Sequence, residues 1–153
     1  MVLAEALEKA GARDLDAKIL ATDLSPQVLE TAKNGVYLLD RLGGISEERR
    51  RRWLLRGSGE YEGFACVHPR LRELVTVRQL NLLHDWPIRG PFDAIFCRNV
   101  VIYFDQPTKQ RLFRRYAELL PAGGYLFLGH SESLHGISDD FDLIGRTVYR
   151  RRA

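Results

Sequence analysis

The sequence predicts an α/β fold built on a doubly wound, mainly parallel sheet. Short apolar runs rich in branched residues alternate with segments of helical periodicity. Several of those runs end abruptly in polar residues, as strands do at the carboxyl rim of an open sheet. The chain has 153 residues, 45% hydrophobic and 28% charged, which suits one globular core and argues against intrinsic disorder.

In chain order, Val2–Lys9 reads as a helix with Leu3, Leu7 and Ala10 on one apolar face, stopped by Gly11. No capping side chain precedes it, so the chain is expected to begin inside an element. Lys18-Ile19-Leu20-Ala21-Thr22 reads as a buried parallel strand ending at Asp23. Ser25 and Pro26 open a helix that Asn34-Gly35 closes, with Val28, Leu29 and Ala32 facing inward. Another helix is expected over residues 47–55. Residues 64–68 and 75–80 then read as strands, joined as a hairpin through residues 69–73. That stretch is expected to be a small antiparallel β insert or a strand pair leading back to the main sheet. Phe92-Asp93-Ala94-Ile95-Phe96-Cys97 and Tyr125-Leu126-Phe127-Leu128-Gly129 are expected as buried strands. Between them lies a helix over residues 108–120, with Leu112, Phe113, Tyr116, Leu119 and Leu120 inward. Residues 141–149 supply a final edge strand pair.

The net charge is +3, and the three arginines at 150–152 account for all of it, so the rest of the chain has no overall basic bias. The four arginines at 49–52 follow Glu47 and Glu48 and are expected to pair with them along a solvated helix face, the alternative being an acidic partner or nucleic acid. There is no zinc-ligand spacing, no RNA-binding aromatic motif and no repeat. No apolar run reaches the roughly 18–20 residues that a membrane span needs. Nor does the start of the chain read as a secretion signal. Cys66 and Cys97 sit in apolar surroundings and are expected as reduced thiols, which favours the cytoplasm.

Ligands of open α/β sheets bind outside the carboxyl ends of the strands. Asp23, Asn81, the pair Arg98 and Asn99, and the group His130, Ser131 and Glu132 all stand directly after expected strands, which suggests one shared crevice. Asp23 either accepts hydrogen bonds from ribose hydroxyls or caps the turn before Ser25-Pro26. Asn81 either reads an adenine edge, since its amide both donates and accepts, or forms a turn. Arg98, beside a buried strand, needs an anion, from the protein or from a ligand. Tyr103 is either a core aromatic or part of the site. His130, Ser131 and Glu132 are too close in sequence to form a nucleophilic relay, so a hydrolase is disfavoured.

These residues carry a pattern. The segment from Phe92 through Cys97-Arg98-Asn99-Val100-Val101-Ile102-Tyr103-Phe104 resembles the signature of the chemotaxis-receptor glutamate methyltransferases, the CheR family. Ile19-Leu20-Ala21-Thr22-Asp23-Leu24-Ser25, Gln79-Leu80-Asn81-Leu82-Leu83 and Gly123-Gly124-Tyr125-Leu126-Phe127-Leu128-Gly129-His130-Ser131-Glu132-Ser133 resemble three further family segments in the same order. The resemblance implies a Rossmann-like class I methyltransferase fold using S-adenosyl-L-methionine. It also implies methyl esterification of glutamate side chains in the cytoplasmic domain of methyl-accepting chemotaxis receptors. By matching positions, Asp23 would hold the cofactor's ribose, and Asn81 and Leu82 would contact adenine. Arg98 and Asn99 would line the pocket near the amino acid portion, with Tyr103 nearby. Residues 57–80 would correspond to a β-subdomain that docks on the receptor. No acid or base is assigned, because a glutamate with a pKa of about 4.3 is already ionised near neutral pH. Arg98 and Tyr103 are the candidate positioning residues. No nucleic acid and no membrane insertion are implied.

A glycine-rich loop is expected about 20 residues before the ribose acid. No glycine precedes Gly11. The expectation is therefore that the first strand of the sheet and its loop lie upstream, that the chain is the C-terminal part of a longer enzyme, and that alone it binds S-adenosylmethionine weakly. A non-catalytic receptor-binding module is the alternative, and a methyltransferase for another substrate on the same fold is a third reading.

Overall fold

The computed structural model describes residues 1–12 and 15–153. The chain divides into two units, Met1–Asn81 and Leu82–Ala153. The architecture is α/β with mixed sheets.

The first unit opens with α1 (Val2–Lys9), followed by β1 (Ile19–Asp23) and α2 (Pro26–Asn34). Local chemistry sets both ends of α2. The Ser25 hydroxyl accepts the Val28 N–H, and Pro26 stands in the first turn. Gly35 closes the helix at φ +65°, a conformation open to glycine at little cost. Next come β2 (Val36–Leu38), α3 (Glu47–Trp53), β3 (Leu54–Arg56), β4 (Phe64–Val67), the single helical turn α4 (Pro69–Arg72) and β5 (Val75–Gln79). β4 lies between β2 and β3, antiparallel to both. β5 pairs in parallel with β1, in a register that sets Ile19 opposite Val75 and Asp23 opposite Gln79.

Two expectations change here. β4 and β5 do not form a hairpin, because α4 turns the chain between them and each strand finds a different partner. The expected helix over 47–55 ends at Trp53, and its last two residues belong to β3.

The arginine run of α3 also behaves differently. Arg50 and Arg51 pair with Glu47 along the helix, as expected. Arg49 instead reaches Glu5 of α1 through Nε and Nη2, at 2.7–3.0 Å. Glu5 also accepts the Trp53 indole N–H at 3.0 Å. Arg52 and Arg70 both pair with Glu8. The hydrogen bonds from Arg49 are the main reason the Glu5 carboxyl lies below its ordinary pKa. The basic run is thus largely neutralised inside its own unit and secures α1.

The second unit contains β6 (Ala94–Cys97), α5 (Gln106–Leu119), β7 (Tyr125–Leu128), β8 (Phe141–Gly145) and β9 (Val148–Arg151), in the sheet order β6-β7-β9-β8. β6 and β7 are parallel; β9 runs antiparallel to β7 and to the edge strand β8. Asp105 caps α5 by accepting the Thr108 N–H. Leu112, Phe113, Tyr116 and Ala117 of that helix pack with Cys97, Leu126, Leu128, Phe141 and Tyr149. Leu119, expected inward, is only half-buried. Of the strands expected to be buried, β6 and β7 are buried on one face only, and β1 has no buried residue. Ile95, Cys97, Leu126 and Leu128 point to the core side, whereas Phe96 is 70% exposed and stacks on Phe127 with ring centroids 4.3 Å apart.

No helix among the described residues is long and apolar enough to cross a membrane. Cys66 and Cys97 are free thiols, Cys97 buried and Cys66 half-buried.

Candidate functional site

Each unit contains one pair of parallel strands, and each pair carries its candidate residues at the carboxyl ends. In the first unit, Asp23 is the last residue of β1 and Asn81 stands two residues beyond β5. The two strand ends are stitched together. The Leu80 N–H donates to the Asp23 carbonyl at 3.0 Å, and the Gln79 side chain donates to the Leu24 carbonyl at 3.0 Å. Asp23 and Asn81 therefore share one rim. Asp23 Oδ1 accepts the Ser25 N–H at 2.8 Å, so the turn-forming reading of this residue is realised. Its carboxylate nevertheless remains exposed, with capacity for further donors. Asn81 is half-buried and leads into a turn at Leu82 and Leu83. Leu82 is the first residue of the second unit and packs against that unit's own core. A cavity of about 840 Å³ also lies in the first unit, among residues such as Ile19, Gly35 and Leu71, but neither Asp23 nor Asn81 lines it.

In the second unit, Arg98 and Asn99 follow β6, and Gly129 to Glu132 follow the neighbouring β7. Asn99 has φ +59°, in the left-handed region that asparagine tolerates better than most residues. The N–H groups of Asn99, Val100 and Val101 converge on the Glu132 carboxylate. Oε2 accepts from Asn99 at 3.0 Å and from Gly129 at 2.6 Å. Oε1 accepts from Val100 at 2.8 Å and from Val101 at 2.9 Å. Converging backbone N–H groups of this kind make an anion-binding nest, and here an internal carboxylate fills it. Glu132 is 5% exposed. Burial pushes its pKa up, but the four donors together outweigh burial and hold the carboxyl below its ordinary value. Gly129 has no room for a side chain: a Cβ there would lie 2.7 Å from both Asn99 Oδ1 and Glu132 Oε2.

The chain then forms a short helical turn, Val101–Tyr103. Val101 is buried, while Tyr103 is 80% exposed, which excludes the core reading of that tyrosine. Arg98 is exposed and has no ion-pair partner among the described residues, so the premise of a buried guanidinium seeking an internal anion does not hold. His130 and Ser131 are exposed and only Glu132 turns inward, so the three side chains form no relay. The sequence placed Glu132 at this rim but missed its binding to the four backbone N–H groups. Its one signal is an acidic residue three positions after the glycine that ends a strand. Among the described residues no cluster of His, Cys, Asp and Glu could hold a metal.

Taken separately, each rim carries groups of the kinds that parts of an S-adenosyl ligand would need. An exposed carboxylate suits a diol, a half-buried asparagine at the same rim suits a heterocycle edge, and an exposed guanidinium suits a carboxylate. With its nest filled by Glu132, the β6 rim offers Arg98 rather than backbone N–H groups to an anion.

Comparison with known proteins agrees. The family described as CheR methyltransferase, SAM binding domain, matches residues 1–150. A probable chemotaxis protein methyltransferase of Rhizobium etli is 45% identical over 138 residues, 90% of this chain and 52% of that protein. The chemotaxis protein methyltransferase of Klebsiella aerogenes is 46% identical over 151 residues, 97% of this chain and 51% of that protein. That of Escherichia coli K12 is 43% identical over 150 residues, 97% of this chain and 51% of that protein. The chain spans about half the length of these curated relatives. It belongs to the family of CheR methyltransferase SAM-binding domains.

Proposed function

We propose that this chain is the cofactor-binding part of an S-adenosylmethionine-dependent enzyme that methylates glutamate side chains in the cytoplasmic domain of chemotaxis receptors. The observation that carries the reading is the family match over residues 1–150. The names of the relatives support it and lend nothing to a non-catalytic module. The two parallel strand pairs, alternating with helices, support a Rossmann-like doubly wound arrangement.

S-adenosylmethionine, when bound, supplies an electrophilic methyl group on a sulfonium. The chain's own residues bind and orient. Asp23 takes the ribose hydroxyls on its exposed carboxylate. Asn81 hydrogen-bonds the adenine edge, and Leu82 gives that ring an apolar contact. Arg98 holds the carboxylate of the amino acid portion through charged hydrogen bonds, and Asn99 lines the same pocket. Tyr103, exposed beside them, positions the acceptor. No residue moves a proton, since a glutamate of pKa about 4.3 reaches the site already ionised. Alignment is then the main requirement on the protein. We assign receptor docking to the antiparallel sheet of β2, β4 and β3 within residues 36–67; of the β-subdomain expected at about residues 57–80, only β4 belongs to it, since β5 pairs with β1.

The test is transfer of labelled methyl groups from S-adenosylmethionine to receptor-containing membranes by the protein that carries this chain. Base-labile methyl esters are the expected product, lost in Arg98→Ala and Asp23→Ala. Base-stable label, or none, would refute the assignment.

A further inference from the structure

We propose that Glu132 is a positioning residue: by gathering the N–H groups of Asn99, Val100, Val101 and Gly129, it fixes the loop that presents Arg98 and Asn99 to the cofactor. The proposal rests on the assignment of Arg98 and Asn99 given above.

The geometry is unusual for a carboxylate with only a packing role. All four of its protein donors are backbone groups, and they come from two segments that follow neighbouring parallel strands. Three of them belong to consecutive residues, the first in the left-handed conformation. Three neighbouring N–H groups turned toward the two oxygens of one carboxylate repel one another unless an anion sits there. Without Glu132, the Asn99–Val100 turn would have to relax, and the base of Arg98 would move with it. The side chain of Arg98 contributes nothing to this order, since it is exposed and unpaired among the described residues. Gly129 completes the device, because only a residue without Cβ lets the carboxylate and the Asn99 backbone come this close.

Glu132→Gln tests the idea with little change of shape. In either orientation the amide NH₂ faces two of the four N–H donors. Gly129→Ala reaches the same contact by another route and keeps the carboxylate, so it decides the matter if the first variant does not fold. Amide hydrogen exchange followed by NMR should show Asn99, Val100 and Val101 exchanging about tenfold faster or more in both variants, the scale expected for losing hydrogen bonds to a charged acceptor. Amides at residues 112–117 in α5 should keep the wild-type rate. In the same samples, S-adenosylhomocysteine titrated to millimolar concentration should bind Glu132→Gln about tenfold more weakly.

Unchanged exchange at the three amides in both variants would overturn the proposal. So would faster exchange with wild-type affinity in Glu132→Gln, provided Arg98→Ala loses binding. If Arg98→Ala and Asp23→Ala both bind like the wild type, the site assignment itself fails, and Glu132 with it.

Discussion

A carboxylate that is 5% exposed and bonded to four N–H groups makes Glu132 one source of acid sensitivity, beside Glu5 and Asp105, whose carboxyls also lie below their ordinary values. The folded-state pKa of Glu132 is lowered, so the unfolded chain takes up the proton first as the pH falls. Its contribution is fully present above the unfolded value of about 4.3 and disappears as the pH drops through the lower folded value. Cys97 and Tyr116, which interact electrostatically with it, are pushed upward mainly by burial and stay neutral throughout that window. Urea midpoints measured from pH 6 to pH 3 should fall less steeply in Glu132→Gln than in the wild type, and parallel curves would contradict this account. The sequence placed Glu132 at the rim but did not show what it binds, for a physical reason. Its partners are backbone groups up to 33 positions away, and no side-chain pattern announces a backbone donor. The strand ends carrying Asp23 and Arg98 were legible because an apolar run that stops at a polar residue is a local signal. The exposure of Arg98 was not, since it depends on what the fold packs around it.

Elements defined by their own residues were read well, and elements defined by their partners were not. Ser25-Pro26 and Asn34-Gly35 marked both ends of α2 because caps act within one turn. Ser25→Ala should therefore cost about 1 kcal/mol, seen as a lower denaturation midpoint, whereas Ser25→Asn should keep most of it. β3 follows α3 without a break, and three residues are too few to show an alternating pattern; pairing with β4 makes it a strand. Branched-residue runs likewise identified β4 and β5 but not their partners, which lie at long range. The inner face of α5 follows from its helical spacing, and Phe113, fully buried, is its centre. Phe113→Ala should destabilise by about 3–5 kcal/mol, measurable by chemical denaturation, and a loss below about 1 kcal/mol would show that the core closes around the gap.

Across the whole molecule, buried apolar surface is divided unevenly. Among the described residues, the first unit buries Trp53, Ala65, Leu71 and Leu80, while the remaining core residues, from Cys97 to Tyr149, form one cluster in the second. The first unit relies more on charge. Glu5 and Glu8 tie α1 to Arg49, Arg52 and Arg70, in pairs whose arginines are exposed, whose carboxylates are half-buried, and which salt weakens. Among the described residues, its parallel pair β1 and β5 has no third strand, whereas β7 is flanked by β6 and β9. Local opening should follow these differences, because exchange protection tracks apolar burial and sheet pairing. Amides of β7 and α5 should be the slowest to exchange, and those of β1 and α1 among the fastest within elements. Raising the salt from 0.05 M to 0.5 M should accelerate exchange in α1 and leave β7 unchanged. Equal protection in β1 and β7, or salt dependence in both, would mean that the charged contacts of the first unit stabilise it as firmly as the apolar cluster stabilises the second.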